Sequence, residues 1–356
     1  MTKPRSELQR ILVVRRDNIG DLVCTTPLIS ALRARYPESW IAALVNSYNA
    51  PVLEGNPDLD AVYSYAKLKH RGISRGGIAG AALERLRLIR ALRAQKLDCV
   101  AIATPSHVSR TVTLAAMFRP QAIAGFVDGK CPDARIRLPV AQETTAGLHE
   151  VEAVYRLAPL LGIDAPIPPL KLVPAADAAA KAQGAIERAG LSGKMKVAVH
   201  LSARRPTQRW RTERTAELIV HLGERFDAAS MLLWSPGALD HAQHPGDDAK
   251  AAKVLQMVGE RAPLLAYPTT ELRDLIGALS VCDAVICPDG GAMHLAAALN
   301  KPIVALFGDS PPERWRPWGA RHRVVQASGR HVEDISVQDV ARAFAALLQD
   351  LRTGCS

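Results

Sequence analysis

The chain contains few aromatic residues and no long apolar run. Phe, Trp and Tyr together make up 4% of its 356 residues. No apolar stretch approaches the roughly 18 to 20 residues that a membrane-spanning helix needs. The first apolar stretch, Ile11–Val14, is also too short for the core of a signal peptide, and Arg15, Arg16 and Asp17 follow it directly. These absences predict a chain that stays in the cytoplasm.

Cysteines at metal-ligand spacing are missing as well. None of the six cysteines forms a C-x-x-C pair, and their spacing does not repeat. We therefore expect neither a zinc site nor a disulfide framework. Several of them lie in apolar, strand-like runs, which favours reduced thiols inside a core. The cysteines stand at positions 24, 99, 131, 282, 287 and 355.

The composition predicts large apolar cores and a basic surface. At 356 residues the chain exceeds the usual size of one domain, and its hydrophobic content of 48% argues against disorder. Lys and Arg number 45 against 35 Asp and Glu, a formal net charge of +10. Such a balance suits nucleic acid, an anionic membrane surface or a phosphorylated substrate.

Much of the positive excess lies between Lys67 and Lys96, where Glu84 is the one acidic residue. A solvated helix face and a surface that meets anionic lipid or glycolipid phosphate both account for it. Nucleic acid is not expected, because no nucleic-acid motif is visible and aromatics are not interleaved with the basic residues. The arginines of this basic segment are Arg71, Arg75, Arg85, Arg87, Arg90 and Arg93.

Short apolar runs alternate with amphipathic stretches, which predicts parallel sheets covered by helices on both faces. Predicted strands are Ile11–Val14, Trp40–Val45, Ala61–Tyr65, Cys99–Ala103, Ala122–Phe126, Val197–Leu201, Ser230–Trp234, Ala284–Cys287, Pro302–Phe307 and Val324–Gln326. Predicted helices are Leu22–Tyr36, Ala81–Gln95, Val108–Phe118, Val151–Leu161, Ala176–Ala189, Thr212–Phe226, Ala249–Val258, Glu271–Leu279, Ala292–Leu299 and Val337–Leu351, the last capped by Ser336.

A proline-dense segment, Ile163–Pro169, interrupts this alternation and suits a linker between two halves. We therefore predict a first domain over residues 1–165 and a second over 170–335. Residues 336–356 are expected to form a terminal helix that packs back on the first domain. Neither half opens with a G-x-G-x-x-G after its first strand, which argues against a nicotinamide dehydrogenase.

The turn Pro288-Asp289-Gly290-Gly291 joins a predicted strand to a helix. Two glycines allow the backbone to approach a ligand closely, and the helix start directs its unpaired N–H groups at that spot. A phosphate is the anion that fits best. The alternative is an ordinary connection, with Asp289 as a helix cap and His294 as a packing residue.

Two further loops follow predicted strands and carry polar side chains. Asn18-Ile19-Gly20-Asp21 offers a carboxylate, Asp21, that is either a helix cap or a general base for a sugar hydroxyl. Gly20 would leave room for a substrate, and Thr25 lies one turn further along.

The second loop, His200–Trp210, is rich in arginine and is either a solvated basic loop or a clamp for a diphosphate. Ligands of parallel sheets bind at the carboxyl ends of the strands, so a cleft between the two halves is the expected site. A carboxylate in one half and an anion cradle in the other together suggest group transfer from a phosphate-activated donor.

These motifs, in this order, resemble those of glycosyltransferase family 9, the heptosyltransferases that build the lipopolysaccharide inner core from ADP-heptose. The likeness covers nearly the whole chain. The motifs are Asn18-Ile19-Gly20-Asp21, Thr25-Thr26-Pro27, Tyr36-Pro37, Leu148-His149-Glu150-Val151, the Arg-rich loop ending at Trp210, Pro288 to Ala298, and Phe307-Gly308-Asp309-Ser310-Pro311.

The resemblance implies an α/β GT-B fold, in which two Rossmann-like domains face each other across a cleft. The N-terminal domain would bind the acceptor and the C-terminal domain the nucleotide sugar, with inversion at the anomeric carbon and without a metal or cofactor. Asp21 would be the base, with Asn18, Gly20 and Thr25 on the acceptor side. The donor-binding residues would be Ser202, Arg205, Gln208, Arg209, Asp289, Gly290, Gly291 and His294.

The chain departs from the family pattern at two donor positions. Gln208 stands where the family usually has a phosphate-binding lysine, so an arginine nearby is the alternative. Gly290 stands where the family often has Thr or Ser, which removes a hydroxyl. The nucleotide base and ribose are expected near the loop that contains Trp234–Gly237 and His244–Asp248.

The implied partners are ADP-heptose, a lipopolysaccharide precursor and the anionic cytoplasmic face of the inner membrane, which the protein would meet as a peripheral protein. Two alternatives remain open: a sugar-nucleotide epimerase of GT-B-like fold, and a non-catalytic protein that binds anionic glycolipid. Asp58-Leu59-Asp60 is formally a D-x-D motif. Its place in a turn before a strand predicts a structural role.

Overall fold

The computed structural model describes residues 8–65, 77–129, 133–238 and 246–354. The chain forms two compact units, Met1–Lys171 and Leu172–Ser356. Part of the basic segment, residues 67–76, lies outside the described residues, as do Cys131, His244, Pro245 and Cys355. The other four cysteines, all within the described residues, are buried thiols outside any disulfide.

The N-terminal unit is built on a six-stranded parallel sheet of order β3-β2-β1-β4-β5-β6. Its strands are β1 Arg10–Val14, β2 Trp40–Asn46, β3 Ala61–Tyr65, β4 Cys99–Ile102, β5 Ala122–Val127 and β6 Leu138–Ala141. Its helices are α1 Ile19–Val23, α2 Thr26–Arg35, α3 Gly77–Ala94, α4 Ser109–Met117 and α5 Glu150–Tyr155.

The C-terminal unit repeats this plan in a second six-stranded parallel sheet, of order β12-β11-β10-β7-β8-β9. Its strands are β7 Met195–His200, β8 Ala228–Trp234, β9 Leu264–Pro268, β10 Ala284–Pro288, β11 Ile303–Phe307 and β12 His322–Gln326. Its helices are α6 Ala176–Arg188, α7 Thr212–Phe226, α8 Asp248–Val258, α9 Leu272–Val281, α10 Gly291–Ala298, α11 Pro312–Trp315 and α12 Val337–Thr353.

The central strands are apolar along their whole length because helices cover both faces of each sheet. Every residue of β10 and β11 is buried, as is every residue of β4. Helix α12 begins at the predicted cap, where Ser336 Oγ accepts a hydrogen bond from Asp339 N–H at 3.1 Å. Its Phe344 and Leu347 join the core of the C-terminal unit, and the helix packs on α7, β11 and β12.

Two predicted helices are broken in the structure. The stretch predicted as one helix, Leu22–Tyr36, forms α1 and α2, which meet at Thr25. Pro27 explains the break, because its ring lacks an N–H and collides with the carbonyl four residues earlier. The predicted helix Val151–Leu161 ends as α5 at Tyr155, and Pro159–Leu161 forms a separate 3₁₀ turn.

The prediction that the D-x-D motif is structural agrees with its contacts. Asp58 accepts a hydrogen bond from Ser30 Oγ at 2.6 Å and pairs with Lys171 Nζ at 2.5 Å. Asp60 is bound by Arg33 Nη2 at 2.6 Å and by the Ile41 N–H at 2.7 Å. Both carboxylates therefore hold the turn before β3.

Candidate functional site

Both sheets reverse their winding direction beside their first strand. In the N-terminal unit β1 lies between β2 and β4, and in the C-terminal unit β7 lies between β8 and β10. A crevice opens where two neighbouring parallel strands send their connections to opposite faces, and ligands bind there at the carboxyl ends. All three predicted motifs follow β1, β7 or β10, so each lies at one of these two switch points.

Asp21 lies in the first turn of α1 after β1. Its side chain accepts a hydrogen bond from the Asn18 N–H at 2.9 Å through Oδ2, and from Arg15 Nη2 at 2.8 Å through Oδ1. The residue is 9% exposed. Asp21 therefore does serve the helix start, as one interpretation held, yet each carboxylate oxygen keeps a further lone pair for a proton.

The residues predicted beside Asp21 lie in different surroundings. Asn18 is exposed, while Gly20 is buried within α1. Thr25 is 0% exposed, and its hydroxyl donates to the main-chain oxygen of Asp21 at 2.9 Å. The structure thus places Thr25 as a support of the turn that carries Asp21, rather than on a surface open to a ligand.

Arg15, which the sequence motifs did not single out, anchors this carboxylate. It is 2% exposed, and its Nη2 contacts both Asp21 Oδ1 and Glu150 Oε1, the latter at 2.7 Å. Its Nε lies 2.9 Å from Asp17 Oδ2, and its Nη1 donates to the Ala103 carbonyl at the end of β4. One guanidinium therefore joins three chain segments at the switch point of the N-terminal unit.

The charges of this cluster favour an ionised Arg15. Burial by itself would lower the pKa of Arg15, but Glu150, Asp21 and Asp17 together raise it above its ordinary value. Burying a guanidinium is costly unless it is paired, and here three carboxylates pair with it.

Neighbouring loops fix the segment between Arg15 and Asp21. Thr104 Oγ1, just beyond β4, donates to Asp17 Oδ2 at 2.9 Å. From the loop after β2, Asn46 Nδ2 donates to the Arg16 carbonyl at 2.6 Å, and the Tyr48 hydroxyl donates to the Asp17 carbonyl. Asp21 is therefore presented by a loop that is held from both sides, which suits a group that must meet a substrate in one orientation.

On the C-terminal unit, Gln208 joins the two motifs that were predicted to bind the donor. Its amide Nε2 lies 2.9 Å from Asp289 Oδ2 and 2.9 Å from Ser310 Oγ, and the residue is 7% exposed. Gln208 thereby ties the Arg-rich loop after β7 to the turn after β10 and to the segment after β11. In these contacts the buried amide of Gln208 bridges three loops.

Asp289 is buried at this junction. Burial raises the pKa of Asp289 above its ordinary value, although the hydrogen bond with Ser310 and the charge of Arg205 act in the opposite direction. A carboxylate that is held this way offers little to a phosphate. The anion-binding capacity of the turn lies instead in the backbone N–H groups at the start of α10.

The glycines of this turn leave the space that a ligand would need. A methyl group added at Gly290 would meet no atom within 4 Å. Gly291 is the first residue of α10. His294 lies one turn further, is 3% exposed and packs edge-on against Trp315, with ring centroids 6.0 Å apart. The structure thus places His294 in a buried position beside Trp315.

The remaining predicted donor residues are spread along the Arg-rich loop. Ser202 Oγ accepts from the Ser235 N–H at 2.9 Å, which joins the loops after β7 and β8. Arg209 Nε donates to the Ala203 carbonyl at 3.0 Å. Arg205 is exposed, and its Nη1 lies 3.9 Å from Asp309 Oδ1. Of these three predicted residues, Arg205 is therefore the one whose side chain is exposed to solvent.

Lys250 on α8 lies next to this loop and was not singled out from the sequence. Burial lowers the pKa of Lys250, and its Nζ lies 3.5 Å from the Leu201 carbonyl. Arg209 and Lys250 line a cavity of about 440 Å³, together with Trp210 and Asp247. Within the described part of the chain, no cluster of three or more His, Cys, Asp or Glu side chains has the geometry of a metal site.

Comparison with known proteins agrees with these features. The profile of glycosyltransferase family 9 (heptosyltransferase) matches residues 85–344. Lipopolysaccharide heptosyltransferase 2 of Escherichia coli (strain K12) is 25% identical over 350 residues, which cover 96% of this chain and 94% of that protein. Lipopolysaccharide heptosyltransferase 3 of the same strain is 26% identical over 304 residues, which cover 84% and 82%.

Solved structures share the fold across the full chain. A family 9 glycosyl transferase from Veillonella parvula DSM 2008 superposes with a TM-score of 0.82 at 21% identity, covering 97% of this chain and 99% of that one. E. coli ADP-heptose lps heptosyltransferase II gives a TM-score of 0.74 at 22% identity, covering 96% and 99%. Because the family match spans most of its length, the chain belongs to glycosyltransferase family 9, the heptosyltransferases, and is a glycosyltransferase of the GT-B fold.

Proposed function

We propose that this protein transfers a heptosyl residue from ADP-heptose to a lipopolysaccharide precursor, with inversion at the anomeric carbon and without a metal ion. Its family membership supports heptosyl transfer. The donor follows from relatives, since E. coli heptosyltransferase WaaC has been solved with ADP and with ADP-2-deoxy-2-fluoro heptose. The acceptor follows from relatives named lipopolysaccharide heptosyltransferases.

In the proposed reaction Asp21 takes the proton of the acceptor hydroxyl. The hydroxyl oxygen forms a bond to the anomeric carbon, the bond from that carbon to the diphosphate oxygen breaks, and ADP leaves with the electron pair. Attack from the face opposite the leaving group gives inversion. A positioned carboxylate contributes about 10² to 10⁴-fold to such a step. The observation that carries the proposal is the held carboxylate of Asp21 at the first switch point of a family 9 chain.

The leaving diphosphate is proposed to bind at the switch point of the C-terminal unit. The backbone at Gly290 and Gly291 and the start of α10 offer N–H donors, and Arg205 adds a charge. These groups stabilise the negative charge that develops on the diphosphate as the bond breaks, which is the role that a metal ion has in other transferases. Gln208 acts by keeping the two loops together.

We propose that the protein binds peripherally to the cytoplasmic face of the inner membrane and meets its acceptor there. Helix α3 exposes Leu83 and Leu86, at 48% and 57%, together with the exposed arginines Arg85, Arg87 and Arg90. Apolar side chains flanked by arginines suit the boundary between headgroups and acyl chains. Among the helices that the structure describes, none has both the length and the apolar character needed to span a bilayer.

Helix α3 is also near the switch point of the N-terminal unit. The pKa of Arg16 is lowered, first by burial and then by the charge of Arg85 on α3. Arg16 is the second residue after β1, so the basic helix face extends towards the loop that carries Asp21. We propose that these arginines bind the phosphates of the acceptor.

A binding panel tests the donor. Thermal unfolding is measured with ADP-heptose, other nucleotide sugars, ADP and UDP. A ligand present at a hundred times its Kd stabilises the folded protein by about 2.7 kcal/mol. We expect the largest shift from ADP-heptose and a smaller one from ADP. A shift with UDP compounds and none with ADP compounds would contradict the proposed donor.

Product analysis tests the reaction class. With ADP-heptose and a heptose-accepting lipopolysaccharide precursor, we expect ADP and a new glycosidic bond whose anomeric configuration is opposite to that of the donor. A changed sugar nucleotide formed without acceptor would indicate an epimerase. Binding of the precursor without any turnover would indicate the non-catalytic alternative.

Vesicle binding tests the membrane surface. Replacing Arg85, Arg87 and Arg90 by glutamine should weaken binding to vesicles that contain anionic lipid at low salt, because each basic residue near such a surface contributes about 1 kcal/mol. The matched control replaces three arginines of the C-terminal unit, namely Arg323, Arg342 and Arg352. Equal binding by both triple variants would exclude helix α3 as the membrane-facing surface.

A further inference from the structure

Arg15 has more contacts than a structural ion pair requires. Its Nη1 and Nη2 donate hydrogen bonds to the Ala103 carbonyl and to two carboxylates, and its Nε lies within ion-pair distance of a third carboxylate. The residue lies just beyond β1, and Asp21 follows six positions later. The partner that completes the set, Glu150, is 135 residues away and begins helix α5.

The direction of the Asp21 carboxylate depends on this arrangement. Nη2 of Arg15 lies 2.8 Å from Asp21 Oδ1 and 2.7 Å from Glu150 Oε1, so its two protons point to two different carboxylates. The Asn18 N–H fixes Oδ2 of Asp21 at 2.9 Å. With one lone pair of each oxygen engaged, the carboxylate can accept a proton only from the remaining directions.

Glu150 in turn fixes Arg15. It is 1% exposed and lies in the first turn of α5, where the helix dipole favours a negative charge. His149, the cap residue of that helix, is equally buried, and its Nδ1 accepts from the Val151 N–H at 3.1 Å. The carboxylate that holds Arg15 is therefore itself built into a capped helix start.

We infer that Arg15 is a positioning residue for the catalytic step, clamped by Glu150 so that its guanidinium aims the Asp21 carboxylate at the acceptor hydroxyl. This inference rests on the proposed role of Asp21. Arginine is required because a planar fork of five N–H donors reaches several segments at once, whereas the ammonium of a lysine is a single point charge.

The first test replaces Arg15 by lysine, which keeps the charge and loses the fork. Misplacement of a reacting group by about 1 Å costs about 10²-fold in rate, so we expect kcat to fall by about 10 to 100-fold. The KM for the donor should stay within about twofold, because the described contacts of Arg15 include none of the residues proposed to bind the donor. Retention of wild-type kcat by a folded Arg15→Lys variant would overturn the inference.

A matched control separates positioning from stability. Arg33 is another multiply bonded arginine of the N-terminal unit, which contacts Asp60 and the carbonyls of Pro37, Ser39 and Asp58. Arg33→Lys should lower the unfolding temperature without changing kcat. If both lysine variants lose the same fraction of kcat, Arg15 has only a structural role and the inference fails.

The pH profile of kcat/KM gives a readout that a structural role would not move. The charged groups described around Asp21 are Arg15 and Asp17 from the segment after β1 and Glu150 from α5. Glu150→Gln removes a negative charge, so the acidic limb should move to lower pH. Arg15→Met removes a positive charge, so that limb should move to higher pH. Shifts in the same direction, or none in either folded variant, would contradict the inference.

Asp21→Asn, measured in the same assay, distinguishes the proposed role of Asp21 as the base from the inferred positioning role of Arg15. If it keeps full turnover, the proposed base is wrong. If it loses turnover while Arg15→Lys and Glu150→Gln behave as wild type, the base stands and the positioning role of Arg15 is wrong.

Discussion

The two units have the same strand order, yet their switch points carry opposite chemistry. Beyond β1 the N-terminal unit gathers three carboxylates, two of them buried, around one buried guanidinium. Beyond β7 and β10 the C-terminal unit places an exposed arginine, a glycine turn and the start of α10. The first arrangement suits taking up a proton, and the second suits holding an anion.

Under the proposed function, one topology serves two tasks. Strand order decides where a crevice opens, because it sets where neighbouring connections diverge. The loop residues decide what the crevice binds. In the N-terminal unit the loop after β1 is held from both sides, whereas in the C-terminal unit Gln208 ties the loops to each other. Each variant below alters one unit and should leave the function of the other unchanged.

The largest effect is expected from Asp21→Asn. The amide keeps the shape of the side chain and cannot take the acceptor proton, so kcat should fall by about 10³-fold. Steady-state turnover with saturating donor measures it. Asp60→Asn is the matched control, since Asp60 holds the turn before β3, and its kcat should equal that of the wild type. Equal loss in both variants would mean that the fall reflects folding.

A second effect is expected from Gly308→Ala in the C-terminal unit. A Cβ at Gly308 would lie 2.4 Å from the Thr207 carbonyl oxygen, so the Arg-rich loop must move. We expect a loss of about 1 to 3 kcal/mol in the free energy of unfolding, together with weaker ADP binding. Gly193→Ala is the control, because a Cβ there meets nothing within 4 Å. An unchanged ADP affinity in Gly308→Ala would show that this loop is not part of the donor site.

A third effect is expected from Arg205→Ala. The proposed contact between Arg205 and the diphosphate is exposed, so its contribution to the binding free energy should be at the lower end of the range for hydrogen bonds to charged groups. The Kd for ADP should therefore rise by about tenfold when the side chain is removed. Isothermal titration calorimetry measures it. Arg323→Ala is the control, because Arg323 is also an exposed arginine of this unit and pairs with Asp350 on α12. If both variants bind ADP equally well, another group holds the diphosphate.

The smallest effect concerns Asp289 and pH. Its pKa is raised in the folded protein, mainly by burial, so its carboxylate form destabilises the fold at neutral pH. As the pH falls from above the folded pKa to below the unfolded one, this penalty disappears. Asp289→Asn has no such penalty, so its Tm advantage over the wild type should be greatest near pH 7 and should shrink in acid. A difference in Tm between the variant and the wild type that stays constant with pH would contradict this prediction.

The sequence predicted the central strands well and missed two at the sheet edges. Buried strands such as β1 and β10 are continuous apolar runs, and such runs are easy to recognise. The strands β6 and β9 lie at the edges of their sheets, are partly exposed and each contain a proline. Their apolar signal is correspondingly weak, because an edge strand has fewer buried positions.

Within the site, the motifs could be recognised and their contacts could not. Asp21 stands in a short motif that resembles the family, so its position was evident. The contact that holds its anchor Arg15 was not evident, because Glu150 meets Arg15 across 135 residues of sequence. Gln208 similarly meets Asp289 and Ser310 across 81 and 102 residues. Local patterns carry no information on such pairs, which the fold alone brings together.

The most direct measurement of the central claim compares turnover and ADP affinity in Asp21→Asn, Arg205→Ala and the double variant. If the N-terminal unit supplies the base and the C-terminal unit holds the diphosphate, Asp21→Asn loses kcat and keeps the wild-type Kd for ADP. Arg205→Ala shows the weaker ADP binding, and the two losses in kcat/KM multiply in the double variant. Weakened ADP binding in Asp21→Asn, or a double variant no worse than Asp21→Asn alone, would contradict this division of roles.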